Sequence, residues 1–490
     1  MTNPVPKIVG EIVEMIARIA MVWAGLVLAS QVTSAHAAAP NIILVITDDQ
    51  GYGDLGCTGN PSVQTPNIDA LAAQSVRLTN FHVSPTCAPT RCSLMTGRHE
   101  FRSGVTHTIN ERERMALSAT TFPQLLQQAG YQTGIFGKWH LGDEAPYQPE
   151  KRGFSEVFIH GAGGIGQSYP GSCGDAPGNS YFHPAILHNG KFEKTTKYCT
   201  DVFFDQALTW IEHQKGQGPF YAHIATNAPH GPLDCLPEYE AKYAHLNDKQ
   251  RAKFYGMITN IDDNIGRLVA KLKEWDLERE TILIFMTDNG GTAGTKEYNA
   301  GMRGQKGTPW EGGTRVPCFI RYGQQFPAGE RAQLTAHVDM FPTLTKLAGA
   351  SIPTDVAAKL EGRDMAPVLR SAEAQWENRT LVTHVGRWEK GKAAEAKFSN
   401  CSIRDQRFTL VSVGKKPNWQ LFDLQTDPGQ LTDVKSQFPA AAMRLEKLYD
   451  TWWESVQPEL VNEDAVPPAE NTFKTLYYQQ FPDERKTEKR

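Results

Sequence analysis

Cys87 is followed by Ala88, Pro89, Thr90 and Arg91. A thiol beside proline and arginine at the start of a helix is a candidate activated nucleophile, since nearby positive charge favours the thiolate. A buried structural cysteine fits the same pattern taken alone. Two acidic pairs follow apolar runs: Asp48-Asp49 after NIILVIT at 41–47, and Asp288-Asn289 after TILIFM at 281–286 and Thr287. Each pair in isolation reads as a turn or helix cap. Two strand ends that each present two oxygen ligands suit a hard cation such as Ca2+ or Mg2+. No Cys or His cluster points to zinc. Lys138 and His140 close the strand-like run 132–136. If that strand extends, their side chains share parity and point at one site; alone, the pair reads as ordinary surface residues. His230, in Asn227-Ala228-Pro229-His230, follows the strand-like run 220–225, and Lys306 sits in Arg303-Gly304-Gln305-Lys306.

The elements that must position these groups follow from hydrophobic periodicity. The β-branched runs 41–47 and 281–286 read as buried parallel strands. Helical spacing is present at 67–77, 124–129 and 201–211. It is clearest at 254–272, where Phe254, Met257, Ile258, Ile261, Ile265, Leu268, Val269 and Leu272 share one face. The alternation predicts an α/β fold: a large, mostly parallel (mixed) sheet sandwiched by helices, with ligands beyond the carboxyl ends of the strands. After about residue 365 the texture changes. Segments at 381–385, 398–404, 408–413 and 419–424, then a helix at 440–456, predict a smaller C-terminal α+β domain on an antiparallel sheet. The expected division is 38–365, 366–480 and a disordered tail at 481–490.

The bulk properties bound the function. The 490 residues carry a formal net charge of -4. A long basic run is absent, which excludes a nucleic-acid footprint, so an anionic ligand would be held by local cations. An apolar stretch at 19–30 followed by Ala35-His36-Ala37 reads as a signal peptide over 1–37. It implies a periplasmic or secreted protein with no stable membrane insertion after cleavage. Of the eight cysteines, Cys173 and Cys199 bracket a Gly/Asn/Pro-rich stretch and are candidates for one disulfide.

The string Cys87-Ala88-Pro89-Thr90-Arg91, with Leu94-Met95-Thr96-Gly97-Arg98 behind it, resembles the type I sulfatase signature of the alkaline phosphatase superfamily. The run from Gly130 to Gly137-Lys138-Trp139-His140 resembles that family's second signature, and Glu311 to Pro317 and Trp419 to Pro428 resemble later elements. Together with the acidic pairs they occur in the family's order from about 41 to 428, so coincidence is a poor explanation.

The resemblance implies an arylsulfatase-like sulfuric ester hydrolase. Cys87 is then oxidised by a formylglycine-generating enzyme. One hydroxyl of the hydrated aldehyde attacks sulfur, and the other loses its proton to expel sulfate. It further implies that Asp48, Asp49, Asp288 and Asn289, with residue 87, hold Ca2+, Mg2+ being the second candidate. Arg91 then steadies the formylglycine and the metal-bound acids, Lys138 binds sulfate, and His140 is the base for elimination. His230 and Lys306 contact the sulfate and the leaving oxygen. His82 and His107 fall in supporting positions or at the substrate rim.

The implied partner is a small-molecule or saccharide sulfate ester. Competing readings are a carbohydrate sulfatase, a phosphate or phosphonate ester hydrolase of the same superfamily, and a non-catalytic binding protein if Cys87 stays a thiol. Loops at 161–175 and 231–250 are expected to set specificity. Tyr169, in the first of these loops, and Tyr181 and Phe182 just beyond it are candidates to stack on a substrate ring, or simply to pack.

Overall fold

A computed structural model of the chain describes residues 39–169 and 171–485. The expected leader lies outside the described residues, as do 486–490. The described chain contains strands β1 (Asn41–Thr47), β2 (Val76–Leu78), β3 (Phe81–His82), β4 (Gln132–Lys138), β5 (Glu156–His160), β6 (Ala185–His188), β7 (Lys191–Lys194), β8 (Phe220–Ala225), β9 (Thr281–Thr287), β10 (Cys318–Arg321), β11 (Gly329–Arg331), β12 (Thr335–Ala336), β13 (Leu381–His384), β14 (Cys401–Arg404), β15 (Phe408–Ser412) and β16 (Gln420–Asp423).

Ten of these form one sheet in the order β11-β2-β10-β9-β1-β8-β4-β5-β6-β7. The central run from β9 to β5 is parallel, whereas β10 and β6 join it antiparallel. The sheet is therefore mixed, with a parallel centre, as expected. Ile42 to Ile46 are fully buried because helices cover both faces, which is why the strand reads as a continuous apolar run. Fully burying one such side chain contributes about 1.5–3 kcal/mol.

The long helix Lys249–Glu274 covers one face. Asp248 caps it by accepting from the Arg251 amide at 3.1 Å. Met257, Ile261, Ile265, Leu268 and Leu272 then pack in one buried cluster with Ile43, Val45, Leu283 and Phe285. On the other face lie the Cys87–Thr96 and Met340–Leu347 helices, in a cluster with Ile42, Leu44 and Ile46.

The second sheet is antiparallel, β13-β14-β15-β16, and shares its own core with the Pro439–Val456 helix through Leu445, Tyr449 and Trp453. The expected strand at 398–404 is shortened to Cys401–Arg404, because residues 394–396 form a 3-10 turn and Asn400 takes a left-handed conformation. The Thr472–Gln480 helix leaves this layer and packs on the far edge of the large sheet, where Phe473 and Tyr477 meet Phe192 edge-on. In the expected tail, Glu484 pairs with Lys194 and Arg485 with Glu470. Cys173 and Cys199 are not bridged: both are free and buried, and the Cys173 thiol donates to Glu113 at 3.2 Å.

Candidate active site

Parallel register brings the chemistry together. Thr47 of β1 pairs with Thr287 of β9, so the acids that follow them, Asp48-Asp49 and Asp288-Asn289, emerge side by side. On the other flank β8 pairs with both β1 and β4, so its continuation to Asn227 and His230 runs beside Lys138 at the end of β4. Four neighbouring strands thus end at one rim, where open α/β sheets bind ligands.

Cys87 opens the Cys87–Thr96 helix and is 3% exposed. Burial pushes its thiol up, but Lys138, Lys306 and His230 prevail and hold it below the usual thiol range. The helix is fixed from behind: Thr90 donates to the Ser84 carbonyl at 3.0 Å and Ser93 to Glu100 at 2.9 Å. Arg91 turns inward, its guanidinium reaching Asp288 Oδ2 at 2.8 and 3.1 Å and the Lys138 carbonyl at 3.2 Å.

Two further cations meet the acids. Lys138 Nζ lies 2.6 Å from Asp48 Oδ2, both side chains fully buried. Lys306 pairs with Asp49, and His230 Nε2 stands 3.9 Å from the same carboxylate. Burial raises Asp48 to about 6 against the opposing pull of Lys138. Burial, then Asp48, raises Asp288 to about 6. Burial would raise Asp49 as well, but Lys306 and His230 hold it below the usual carboxylate range.

His140 has a left-handed backbone (φ 59°), and its Nε2 lies 2.9 Å from the Thr108 carbonyl. That contact puts the ring proton on Nε2, because a carbonyl only accepts. Nδ1 is buried with no partner among the described residues. Burial, then Lys138, pushes the imidazole well below its ordinary range, so the ring is neutral. His230 Nδ1 lies 2.6 Å from the Gly231 carbonyl, which leaves Nε2 facing the acids.

The donor set fits a hard cation. Asp48 Oδ1 and Asn289 Oδ1 are buried oxygens without a hydrogen-bond partner, and such atoms are costly unless something charged or polar meets them. Ligand atoms of Asp48, Asp49 and His230 lie within 4.8 Å of one another. Asp288 enters less fully, because Arg91 engages its Oδ2.

All the predicted site residues therefore sit on this rim. Of the two flanking histidines, His82 is withdrawn. It is buried among Asn80, Thr314 and Arg404, where Glu311 accepts from Arg404 at 2.7 Å and ties the two sheets together. Tyr181 does not stack on a ligand: it is buried and its hydroxyl donates to the Asn227 and His230 carbonyls. Phe182 is partly buried against Tyr198. Tyr169 stays 48% exposed.

The Thr108 carbonyl had no legible signal, whereas Gly163 and Gly164 fall in the 161–175 loop expected around the pocket. A Cβ on Gly163 would meet His140 at 2.8 Å, and one on Gly164 would meet His230 at 2.8 Å. Loop 161–166 thus lies directly against both imidazoles.

A family model described as Sulfatase matches residues 40–350, and one described as N-sulphoglucosamine sulphohydrolase, C-terminal, matches 305–452. The chain belongs to the sulfatase family. It is a sulfuric ester hydrolase. Arylsulfatase J of Mus musculus is 30% identical over 458 residues, spanning 84% of this chain and 75% of that one. N-acetylgalactosamine-6-sulfatase of Homo sapiens is 32% identical over 361 residues, 67% of this chain and 66% of that one. The crystal structure of Ps i-CgsB in complex with k-i-k-neocarrahexaose superposes with a TM-score of 0.77 at 28% identity, covering 92% of this chain and 99% of that one.

Proposed function

We propose that this sulfatase hydrolyses sulfate monoesters with a formylglycine made from Cys87 by a formylglycine-generating enzyme, and with Ca2+ held by Asp48, Asp49, Asp288, Asn289 and residue 87. The observation that carries it is a buried Cys87, at a helix start, placed among Lys138, Lys306 and His230 beside the buried, unpartnered Asp48 Oδ1 and Asn289 Oδ1 oxygens. Hydrated, the aldehyde supplies one hydroxyl to attack sulfur and a second whose deprotonation expels sulfate. The cation supplies Lewis-acid withdrawal of charge from a sulfate oxygen.

The chain's own residues do the rest. Lys138 and Lys306 are ammonium groups positioned for sulfate oxygens. Burial works against the Lys306 charge, but Asp49 prevails and holds its pKa above the usual range. His140, neutral with Nδ1 free, takes the proton from residue 87. His230 Nε2 faces the leaving oxygen and can hand it a proton only as the imidazolium, since Nδ1 donates to the Gly231 carbonyl; burial works against that form and Asp49 supports it. Arg91 fixes Asp288 and balances the acids.

The substrate we propose is a saccharide sulfate, because the neighbour Ps i-CgsB was solved with neocarrahexaose. The expected leader supports export to the periplasm or beyond, and among the described residues no helix is long and apolar enough to cross a membrane. The test is release of inorganic sulfate by protein co-expressed with the generating enzyme. Cys87→Ala is expected to lower kcat by about 10^4-fold or more, the scale of losing a covalent nucleophile. Equal release by Cys87→Ala, or release of phosphate but not sulfate, overturns the proposal.

A further inference from the structure

Beside the catalytic rim lies a cleft of about 400 Å3, lined among others by His107, Asn110, Arg387 and Lys390. The inference drawn from it rests on the sulfatase reading and concerns which sulfate esters that site accepts. Arg387 follows β13 in a turn whose two residues, Gly386 and Arg387, are both left-handed, with φ of 66° and 60°. A left-handed non-glycine residue costs on the order of 1 kcal/mol.

The turn is pinned: the Arg387 amide donates to the Thr106 carbonyl at 2.9 Å. Its guanidinium donates from Nη2 to Thr108 Oγ1 at 3.0 Å. The Thr108 carbonyl is the group that orients His140. One threonine therefore carries the catalytic imidazole on its backbone and Arg387 on its side chain.

Arg387 is exposed and forms no ion pair among the described residues, so most of its N–H fork is open. Glu111 and Glu389 also border the cleft, so it is not a general anion trap. Recognition falls to the one open guanidinium, whose planar fork matches a carboxylate or sulfate. Tyr169, an exposed ring in the 161–175 loop, is within electrostatic reach of both the Cys87 thiol and the Arg387 guanidinium.

We infer that Arg387 is a specificity-determining residue. It binds a second oxyanion on the saccharide whose sulfate is cleaved, while Tyr169 packs on the sugar between the two anions. The preferred substrate class is then a saccharide bearing at least two anionic groups.

The test compares wild type, Arg387→Ala and Arg387→Gly on three sulfate esters: a monosulfated neutral disaccharide, its disulfated analogue, and a monosulfated disaccharide containing a uronate. Glycine suits the left-handed turn, so a folding defect in the alanine variant does not obscure the result. The ratio of kcat/KM for a dianionic over the monoanionic ester is expected to fall about 10- to 100-fold, mainly through KM, as for losing a charge-assisted hydrogen bond. A fall only for the disulfated or only for the uronate substrate identifies which oxyanion Arg387 reads.

An equal loss on all three esters, or an unchanged ratio, overturns the inference. Calorimetric titration of the disulfated and uronate disaccharides into Cys87→Ser protein, with and without Arg387→Gly, gives a readout that needs no turnover. If wild type releases no sulfate, the catalytic reading fails, and this titration still decides for or against the Arg387 site.

Discussion

At the residue scale, the site concentrates opposite charges that water does not screen. Lys138 and Asp48 are both fully buried at 2.6 Å. Removing one partner of such a pair leaves a buried charge uncompensated, at a cost of about 3–5 kcal/mol. Lys138→Met keeps the stem and deletes the charge. It is expected to lower unfolding free energy by that amount in urea titrations with divalent ions chelated, and added Ca2+ is expected to recover part of the loss. An unchanged midpoint would show that Asp48 is already neutral.

The groups with a distinctive side chain that meet at this rim were legible at this scale: Cys87, Arg91, Lys138, His140, His230, Lys306 and the acids. The Thr108 carbonyl was not, because any residue offers a carbonyl. Arg387 was not, because it lies 300 positions after Cys87 and only the fold brings its turn to the rim.

At the element scale, long buried strands announced themselves and short edge strands did not. β1, β8 and β9 carry enough apolar residues to be read alone. β6 and β7, four residues each with polar neighbours, gain their conformation from pairing at the sheet edge rather than from propensity. In β4 the signature residue Gly137 serves geometry: with φ 118°, a Cβ there would sit 1.8 Å from the Ala225 carbonyl oxygen.

The edge also carries a titrating pair. His188 lies 2.7 Å from Glu156 and 2.8 Å from Glu193, and the Glu156 hydrogen bond raises it above its ordinary 6.5 despite partial burial. A raised base stabilises the fold in full below its unfolded pKa and loses that contribution as pH rises through the folded value. The stability advantage of wild type over His188→Gln should therefore be larger at about pH 5.5 than at about pH 8.5. Equal differences at the two pH values in urea unfolding would remove the edge pair from the account.

At the scale of the whole molecule, the α/β class and the antiparallel C-terminal layer were readable from periodicity. The return of the Thr472–Gln480 helix to the large sheet was not, since its contacts lie nearly 300 residues away at Phe192. Nor was the Glu311–Arg404 tie between the sheets, which joins two stretches that look unrelated in sequence. Folding also constrains the chemistry. With Cys87 only 3% exposed, an enzyme that modifies it must act before this rim closes. The measurement that bears most directly on the central claim is mass spectrometry of the tryptic peptide 78–91 from protein made alongside the generating enzyme. The account predicts a peptide about 18 Da lighter than encoded, carrying an aldehyde that reacts with hydrazide reagents, as an activated nucleophile at residue 87 requires. An intact thiol throughout, beside a converted control sulfatase from the same cells, would contradict it.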